Sequence, residues 1–370
     1  MRDVLILAGE ASGDLHGAGL ASELSALRPD LALAGLGGAA MQRAGVKLIE
    51  RIDTLGVMGF VEVIRQIPHH FTLLRAIDRR LRSGSVGLVI VIDYPGFNMR
   101  AAALARRAGV PVLYYITPQV WAWGAGRLSK LRELITRAAV ILPFEEELLR
   151  QHGIDATFVG HPLLDRLPGI PDPSDARRLL GLDPVRPVLA LFPGSREQEV
   201  SRHLQPFAAA ASLLSARVPG LQVVVSTAPG MSLDPAACVF RQVRDASFAV
   251  LRAADAALCK SGTTTLEAAV AGCPLIVAYR TSQWTHALAR RLVRIPRIGL
   301  VNIVAGREIA REFVQDAVQP ASMAEALLPL LDPNDVTRRS MLAGLAEVRA
   351  RLGQPGAARR VAAMASALVS

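Results

Sequence analysis

The sequence predicts an α/β protein built from two doubly wound, Rossmann-like domains facing a cleft, and three observations carry that expectation. Short β-branched or aliphatic runs alternate with amphipathic helical stretches, the pattern of βαβ units whose parallel sheet is covered on both faces. A proline-rich stretch interrupts this rhythm once, near the middle of the chain, after which it restarts. At 370 residues the chain exceeds the length over which one hydrophobic core keeps growing, so two domains of ordinary size are expected.

In the first half, VLILA (4–8) runs through a glycine turn into a helix from about Asp14 to Leu27, and LALAGLG is followed by the helical AAMQRAG. GLVIVID (87–93) precedes NMRAAALARRAG, VPVLYYI (110–116) forms the next strand, AAVILPF (138–144) precedes EEELLRQHG, and ATFVG (156–160) closes the series. The linker or hinge begins at His161 with HPLLDRLPGIPDPSDARRLLGLDPVRP. Beyond it come VLALFPGS (188–195), a helix near 199–216, LQVVVST (221–227), a helix or loop over 235–246, ADAALCKSG (254–262), the helical TTLEAAVAG and PLIVAYR (274–280). The expected domains are 1–165 and 166–345, with a helical segment over 346–370 packing back on the first.

Hydrophobic residues make up 51% and charged ones 20% of the chain, enough to bury large cores and too apolar for disorder. A net charge of +10 suits an anionic partner, without choosing between nucleic acid, acidic lipid and a phosphorylated substrate. Cys238, Cys259 and Cys273 form no CxxC pair and have no histidine at metal spacing, so they read as buried free thiols of a reducing compartment. The N-terminus lacks the long apolar region of a signal peptide. No window approaches the roughly 20 apolar residues that span a bilayer, so a cytoplasmic protein that touches a membrane without crossing it is expected.

Ligands of open α/β sheets gather beyond the carboxyl ends of the strands, and the polar loops there are the candidate sites. GLGGAA (35–40) fits the loose dinucleotide fingerprint, but the same glycines serve any tight strand-to-helix turn. In GEASGD (9–14), Gly9 and Gly13 allow close backbone approach while Glu10, Ser12 and Asp14 supply polar groups; a helix cap by Ser12 or Asp14 is the plain alternative. In VIDYPGFN (91–98), Asp93 ends a buried strand before a Pro-Gly turn, with Asn98 nearby. A carboxylate so placed can act as a general base, or it can form the turn. In LFPGSREQEV (191–200), Gly194, Ser195 and Arg196 combine helix-start amides with a guanidinium, as a phosphate requires. KSGTTTLEAAVAG (260–272) repeats the arrangement with Ser261, Gly262, Thr263 and Thr264, and Glu267 one turn in is suited to ribose hydroxyls. Two such loops in one half point to a nucleoside diphosphate. LGVMGFVEVIRQIPHHFTLLRAI (55–77) is a core helix, a surface-lying amphipathic element or a wall for acyl chains. Trp121 and Trp123, beside Arg127, Lys130 and Arg132, suit a headgroup boundary, a sugar-stacking surface or a core.

Assembled in order, GEASGD, LGVMGFVEV, IDYPGFN, TPQVWAW, LPFE, FVGHP, PGSRxxEV, SGTTTLE, the YR pair at 279–280 and VNIVAGRE (301–308) resemble the lipid A disaccharide synthase family over about residues 5 to 320. The resemblance implies a two-domain glycosyltransferase of the type called GT-B, with UDP held by the second domain and the acceptor by the first. It implies a reaction joining UDP-2,3-diacylglucosamine to 2,3-diacylglucosamine 1-phosphate, giving a β-1,6-linked disaccharide and UDP. By the same resemblance the family's catalytic aspartate falls on Asp93, its essential arginine on Arg196, its asparagine near the AGRE segment on Asn302, and its acyl-chain wall on Val61, Val63, Ile64 and Ile67. Gly96 stands where relatives often carry an acidic residue, and His16 where they carry an aliphatic one.

The expected mechanism is an inverting displacement without metal or other cofactor, Asp93 taking the proton and Arg196 facing it across the cleft to steady the departing diphosphate. The partners expected are the two acylated sugars and the anionic inner face of the inner membrane, with no nucleic acid and with oligomers open. The rival readings are a peptidoglycan-type N-acetylglucosaminyltransferase, a UDP-N-acetylglucosamine epimerase, and a basic peripheral binding protein without catalysis.

Overall fold

The computed structural model describes residues 3–51, 60–119, 126–228, 230–234, 238–282 and 297–369. Side chains are described from His70 onward in the helix that starts at Phe60, and from Leu128 onward in the one that starts at Gly126. The chain divides into two units, Met1–Asp165 with Gly353–Ser370, and Arg166–Leu352.

The first unit is a seven-stranded parallel sheet formed by β1 (Asp3–Ala8), β2 (Ala32–Gly37), β3 (Lys47–Arg51), β4 (Val86–Ile92), β5 (Val112–Tyr115), β6 (Arg137–Val140) and β7 (Ala156–Phe158) in the order β3-β2-β1-β4-β5-β6-β7. Its helices are α1 (Ala11–Leu27), α2 (Ala39–Arg43), α3 (Phe60–Arg82), α4 (Pro95–Arg107), α5 (Gly126–Leu134), α6 (Pro143–Gln151) and, from the chain's end, α14 (Ala357–Leu368). Successive strand residues point to opposite faces, so VLILA serves two cores at once. Leu5 and Leu7 pack with Val89, Val91, Tyr114 and Phe97 on one face, while Val4 and Ile6 pack with Ile90, Ile92, Leu20 and Val361 on the other. Burial on both faces explains why these strands read as unbroken apolar runs.

The second unit repeats the plan with six parallel strands, β8 (Val188–Phe192), β9 (Gln222–Thr227), β10 (Arg241–Arg244), β11 (Ala256–Lys260), β12 (Leu275–Tyr279) and β13 (Glu312–Val314), in the order β10-β9-β8-β11-β12-β13. Around it lie α7 (Pro173–Leu179), α8 (Glu197–Ser215), α9 (Ser247–Ala253), α10 (Thr264–Ala271), α11 (Leu300–Ala305), α12 (Pro320–Leu331) and α13 (Val336–Arg351).

Proline accounts for two departures from the sequence reading. AAVILPF is not one strand: β6 stops at Val140, and Pro143 opens α6, because proline fits a helix's first turn, where its missing N–H is not needed. The linker likewise contains α7, opened by Pro173 and capped by Asp172, whose carboxylate accepts from the Asp175 N–H at 2.9 Å. Within 235–246, Arg241–Arg244 is a strand, β10, at the sheet edge. Its polar RQVR sequence carries little of the apolar signal by which buried strands are recognised.

In β2, a Cβ on Gly35 would lie 1.8 Å from the Ile6 carbonyl oxygen. Gly35→Ala is therefore expected to lower unfolding stability by about 2–3 kcal/mol. Gly96→Ala, with nothing within 4 Å of its added methyl, serves as the neutral control. Equal denaturation midpoints for the two variants would contradict this packing.

Candidate functional site

In each unit the strand order reverses beside the first strand, between β1 and β4 and between β8 and β11. Loops leaving two such strands diverge to opposite faces and open a crevice. The four polar motifs picked from the sequence occupy these four loops: GEASGD follows β1, DYPGFN follows β4, PGSR follows β8 and SGTTT follows β11.

In the first unit the loops are locked together around Asp93. Asp93 and Tyr94 have left-handed backbones, with φ of 47° and 45°, a strain of about 1–3 kcal/mol for each non-glycine residue. The Asn98 side-chain amide donates to the carbonyls of Ile92 (3.0 Å) and Asp93 (2.7 Å), and the Tyr114 hydroxyl donates to the Asp93 carbonyl at 2.9 Å. Burial, with the nearby Asp93 charge, pushes the Tyr114 phenol's pKa well up and keeps it a neutral donor. Asn98 is 1% exposed; its amide nitrogen is turned inward to hold the Asp93 backbone, so it is placed to act through Asp93. The Tyr94 ring lies over Gly9, where a Cβ would meet it at 2.2 Å, which explains the glycine. Glu10 is partly exposed, Ser12 is exposed at the start of α1 and Gly13 is buried against Ala8.

Asp14 caps a helix other than its own. Its carboxylate accepts from the N–H groups of Gly38 (2.6 Å), Met41 (3.0 Å) and Ala40 (3.0 Å). These are the amides at the start of α2, to which the dinucleotide-like GLGGAA turn leads. A helix start of that kind attracts a phosphate, and here the protein's own carboxylate occupies it. His161, at the start of the linker, accepts the Leu163 N–H on Nδ1 at 3.2 Å. Burial, helped by His16, pushes its pKa down to about 3, so it remains a neutral structural ring in the turn.

In the second unit the two loops line one cavity of about 380 Å³, within the size range of small-molecule sites. Gly194, Ser195, Arg196, Ser261, Gly262, Thr263, Thr264 and Glu267 all line it. Arg196 is exposed at the N-cap of α8, and α10 starts at Thr264, so first-turn amides that lack intrahelical acceptors point towards the same end of the sheet. Ser261 donates its hydroxyl to the Ile298 carbonyl at 2.7 Å, and Thr265 donates to the Gly262 carbonyl at 2.8 Å, fixing the loop. Burial raises the pKa of the Glu267 carboxyl, with Arg166 and a Ser247 hydrogen bond acting against it.

The sequence reading missed Glu199, Ser226, Thr227, Asp245, Ser247 and Lys260, which also line the cavity. Lys260 donates to Glu199 Oε1 at 2.7 Å, while Glu199 Oε2 accepts the Ser195 N–H at 3.1 Å. Burial alone would raise the Glu199 pKa; the Lys260 hydrogen bond and charge, together with the Ser195 N–H and the Arg196 charge, outweigh it and the net shift is downward. Lys260 adjoins the SGTTT motif, a signal within reach of sequence reading, whereas Ser226 and Thr227 merely end an apolar strand.

Asn302 lies outside this lining. It is fully buried; its amide nitrogen donates to the Ala310 carbonyl (2.7 Å) and Glu312 Oε1 (2.8 Å), and its oxygen accepts from Ile309 N–H (2.7 Å) and Ala310 N–H (2.9 Å). Glu312 in turn accepts the Ile298 and Gly299 N–H groups, each at 2.9 Å, and Ile298 holds Ser261. Asn302 is thus connected to the cavity through a chain of hydrogen bonds. Val61, Val63, Ile64 and Ile67 lie in α3, where their side chains fall outside the described ones, and Trp121 and Trp123 fall outside the described residues.

Two doubly wound units, one with a polar cavity shaped by two helix starts and an arginine, are the architecture of the GT-B fold class. Solved structures similar to the chain include the glycotransferase of kitacinnamycin (17% identity, TM-score 0.65, covering 100% of this chain and 99% of that one). Another is the UDP-GlcNAc 2-epimerase of Neisseria meningitidis, bound to UDP-GlcNAc (12%, 0.66, covering 98% and 99%). Residues 4–357 match the family model of lipid-A-disaccharide synthetase, and the lipid-A-disaccharide synthase of Syntrophus aciditrophicus is 41% identical over 376 residues, 99% of this chain and 97% of the relative. The chain belongs to the lipid-A-disaccharide synthase family.

Asn302→Ala takes the side-chain partner from the Ile309 and Ala310 N–H groups and from the Ala310 carbonyl, and is expected to cost about 3 kcal/mol of stability along with activity. A variant that melts like the parent yet loses turnover would refute the structural role.

Proposed function

We propose that this hexosyltransferase transfers a 2,3-diacylglucosaminyl group from UDP to the 6-hydroxyl of 2,3-diacylglucosamine 1-phosphate, with inversion to the β-1,6 linkage, Asp93 acting as base and the 194–196 and 261–264 loops holding the diphosphate. Formation of the lipid A disaccharide is the activity of its family. The observation that carries the donor-site reading is the cavity of the second unit, where both polar loops, Arg196 and Glu267 line one space. Helix-start amides and a guanidinium suit the diphosphate, and the Glu267 carboxylate suits ribose hydroxyls.

Asp93 takes the acceptor's hydroxyl proton as that oxygen attacks the anomeric carbon. The bond to UDP breaks with its electron pair passing to the diphosphate, whose growing charge the Arg196 guanidinium and the α10 start stabilise. The strained backbone at Asp93, held by Asn98 and Tyr114, keeps that carboxylate at the strand end where a base is needed. Asn302 acts through Glu312 and Ile298 on the Ser261 loop.

Peripheral contact with an anionic membrane surface is part of the same reading. The half-exposed Phe71 shares a groove with Arg75, Arg100, Arg107 and Lys130, a pairing of apolar and cationic side chains that favours an interface. Among the described residues no helix is long and apolar enough to cross a membrane.

Asp93→Asn is expected to reduce kcat by about 10²–10⁴ with an unchanged melting temperature; near-native turnover by the folded variant would remove Asp93 from the base role. Arg196→Ala should weaken UDP binding by about ten- to a hundredfold, and calorimetry showing intact UDP affinity would end the phosphate assignment.

A further inference from the structure

All but three of the chain's 42 basic residues are arginine, and Lys260 is the sole lysine of the second unit. It ends β11, at the strand order's reversal, directly before the Ser261 loop. Its side chain is 18% exposed and that of its partner Glu199 17%. The ammonium lies 5.8 Å from the centre of the Tyr279 ring and 3.8 Å from where a Cβ on Gly262 would stand. The charge is therefore set into the wall of the cavity, over the turn that opens α10. Glu199 is fixed independently, because its second oxygen holds the Ser195 N–H.

We propose that Lys260 is a further substrate-binding residue of this site, donating to the β-phosphate of the bound nucleoside diphosphate and to the oxygen that becomes free when the sugar leaves. The inference rests on reading the cavity as the nucleoside-diphosphate site. An ammonium has three N–H groups; Glu199 Oε1 takes one, and among the described residues no other acceptor holds the remaining two, which leaves them for phosphate oxygens. Charge supports the assignment. Of the charged residues that line the cavity, Glu199, Asp245 and Glu267 stand against Arg196 and Lys260, with Arg166 3.5 Å from Glu267, so a second cation beside Arg196 favours entry of a diphosphate. A lysine suits a position that must turn between two anions, since its point charge swings on a flexible stem where an arginine fork would stay paired with the carboxylate. As the anomeric C–O bond breaks, its electron pair goes to the β-phosphate oxygen, and a Lys260 N–H bond there offsets the new charge.

The test compares affinities for UDP and UMP, measured by calorimetry on the full chain. Lys260→Met is expected to weaken UDP by about ten- to a hundredfold while leaving UMP within about twofold, since UMP lacks the β-phosphate. Because removing one partner leaves Glu199 uncompensated, the double variant Lys260→Met/Glu199→Gln is measured beside it and is expected to show the same selective loss. Unchanged UDP affinity in Lys260→Met, or equal losses for UDP and UMP in both variants, overturns the proposal. A parent protein that binds neither nucleotide overturns the reading of the cavity itself, a result distinct from either.

Discussion

Both sheets are wholly parallel, and the rest of the structure depends on that constraint. Parallel strands send every connecting helix in the same sense, so strand carboxyl ends and helix amino starts collect along one edge of each sheet. At the reversal beside β1, and again beside β8, two neighbouring loops depart to opposite faces and leave a crevice that backbone amides line. Interior strand residues are buried on both faces and are almost entirely apolar, which leaves chemistry to the loops. Asp93 and Arg196 owe their positions to this geometry.

Helix starts attract anions, and the protein supplies some of its own. At α2 the Asp14 carboxylate takes three amides, which turns a dinucleotide-like glycine turn into a structural joint. At α8 Glu199 takes the Ser195 amide but shares its charge with Lys260, and the loop there still borders an open cavity. The contrast gives similar glycine turns different surroundings in the two units, one closed by a carboxylate and one bordering a cavity. It also weakens the dinucleotide reading of the first unit on physical grounds.

Much of the candidate site was legible because its residues cluster in short motifs whose spacing reflects a local turn. Gly194 to Arg196 and Ser261 to Thr264 each occupy a single strand-to-helix loop, and reading the loop reads the lining. Asn98 and Asn302 were legible as notable residues but not in their manner of action. An amide side chain in a motif reads the same whether it faces a ligand or holds a backbone, and only Ile92, Ala310 and Glu312 reveal which. The edge strand β10 escaped notice because edge strands need little apolar sequence, and α7 because proline, a helix breaker in the interior, also opens helices.

By itself the sequence determined the alternation of strands and helices, the restart after the linker, and the loops at which polar groups gather. These are local properties, carried by periodicity and by turns within a few residues. Tertiary structure decided which strands became neighbours, where their order reversed, and which charged groups met. Asp14 reaches Gly38 across 24 positions and Lys260 reaches Glu199 across 61, separations at which sequence spacing carries no information about distance. The strained backbone at Asp93 belongs to the same class, since Tyr114, 21 positions away, helps to hold it. Hydrogen bonds and charge pairs of this range form only once the sheets have brought remote loops to a common edge.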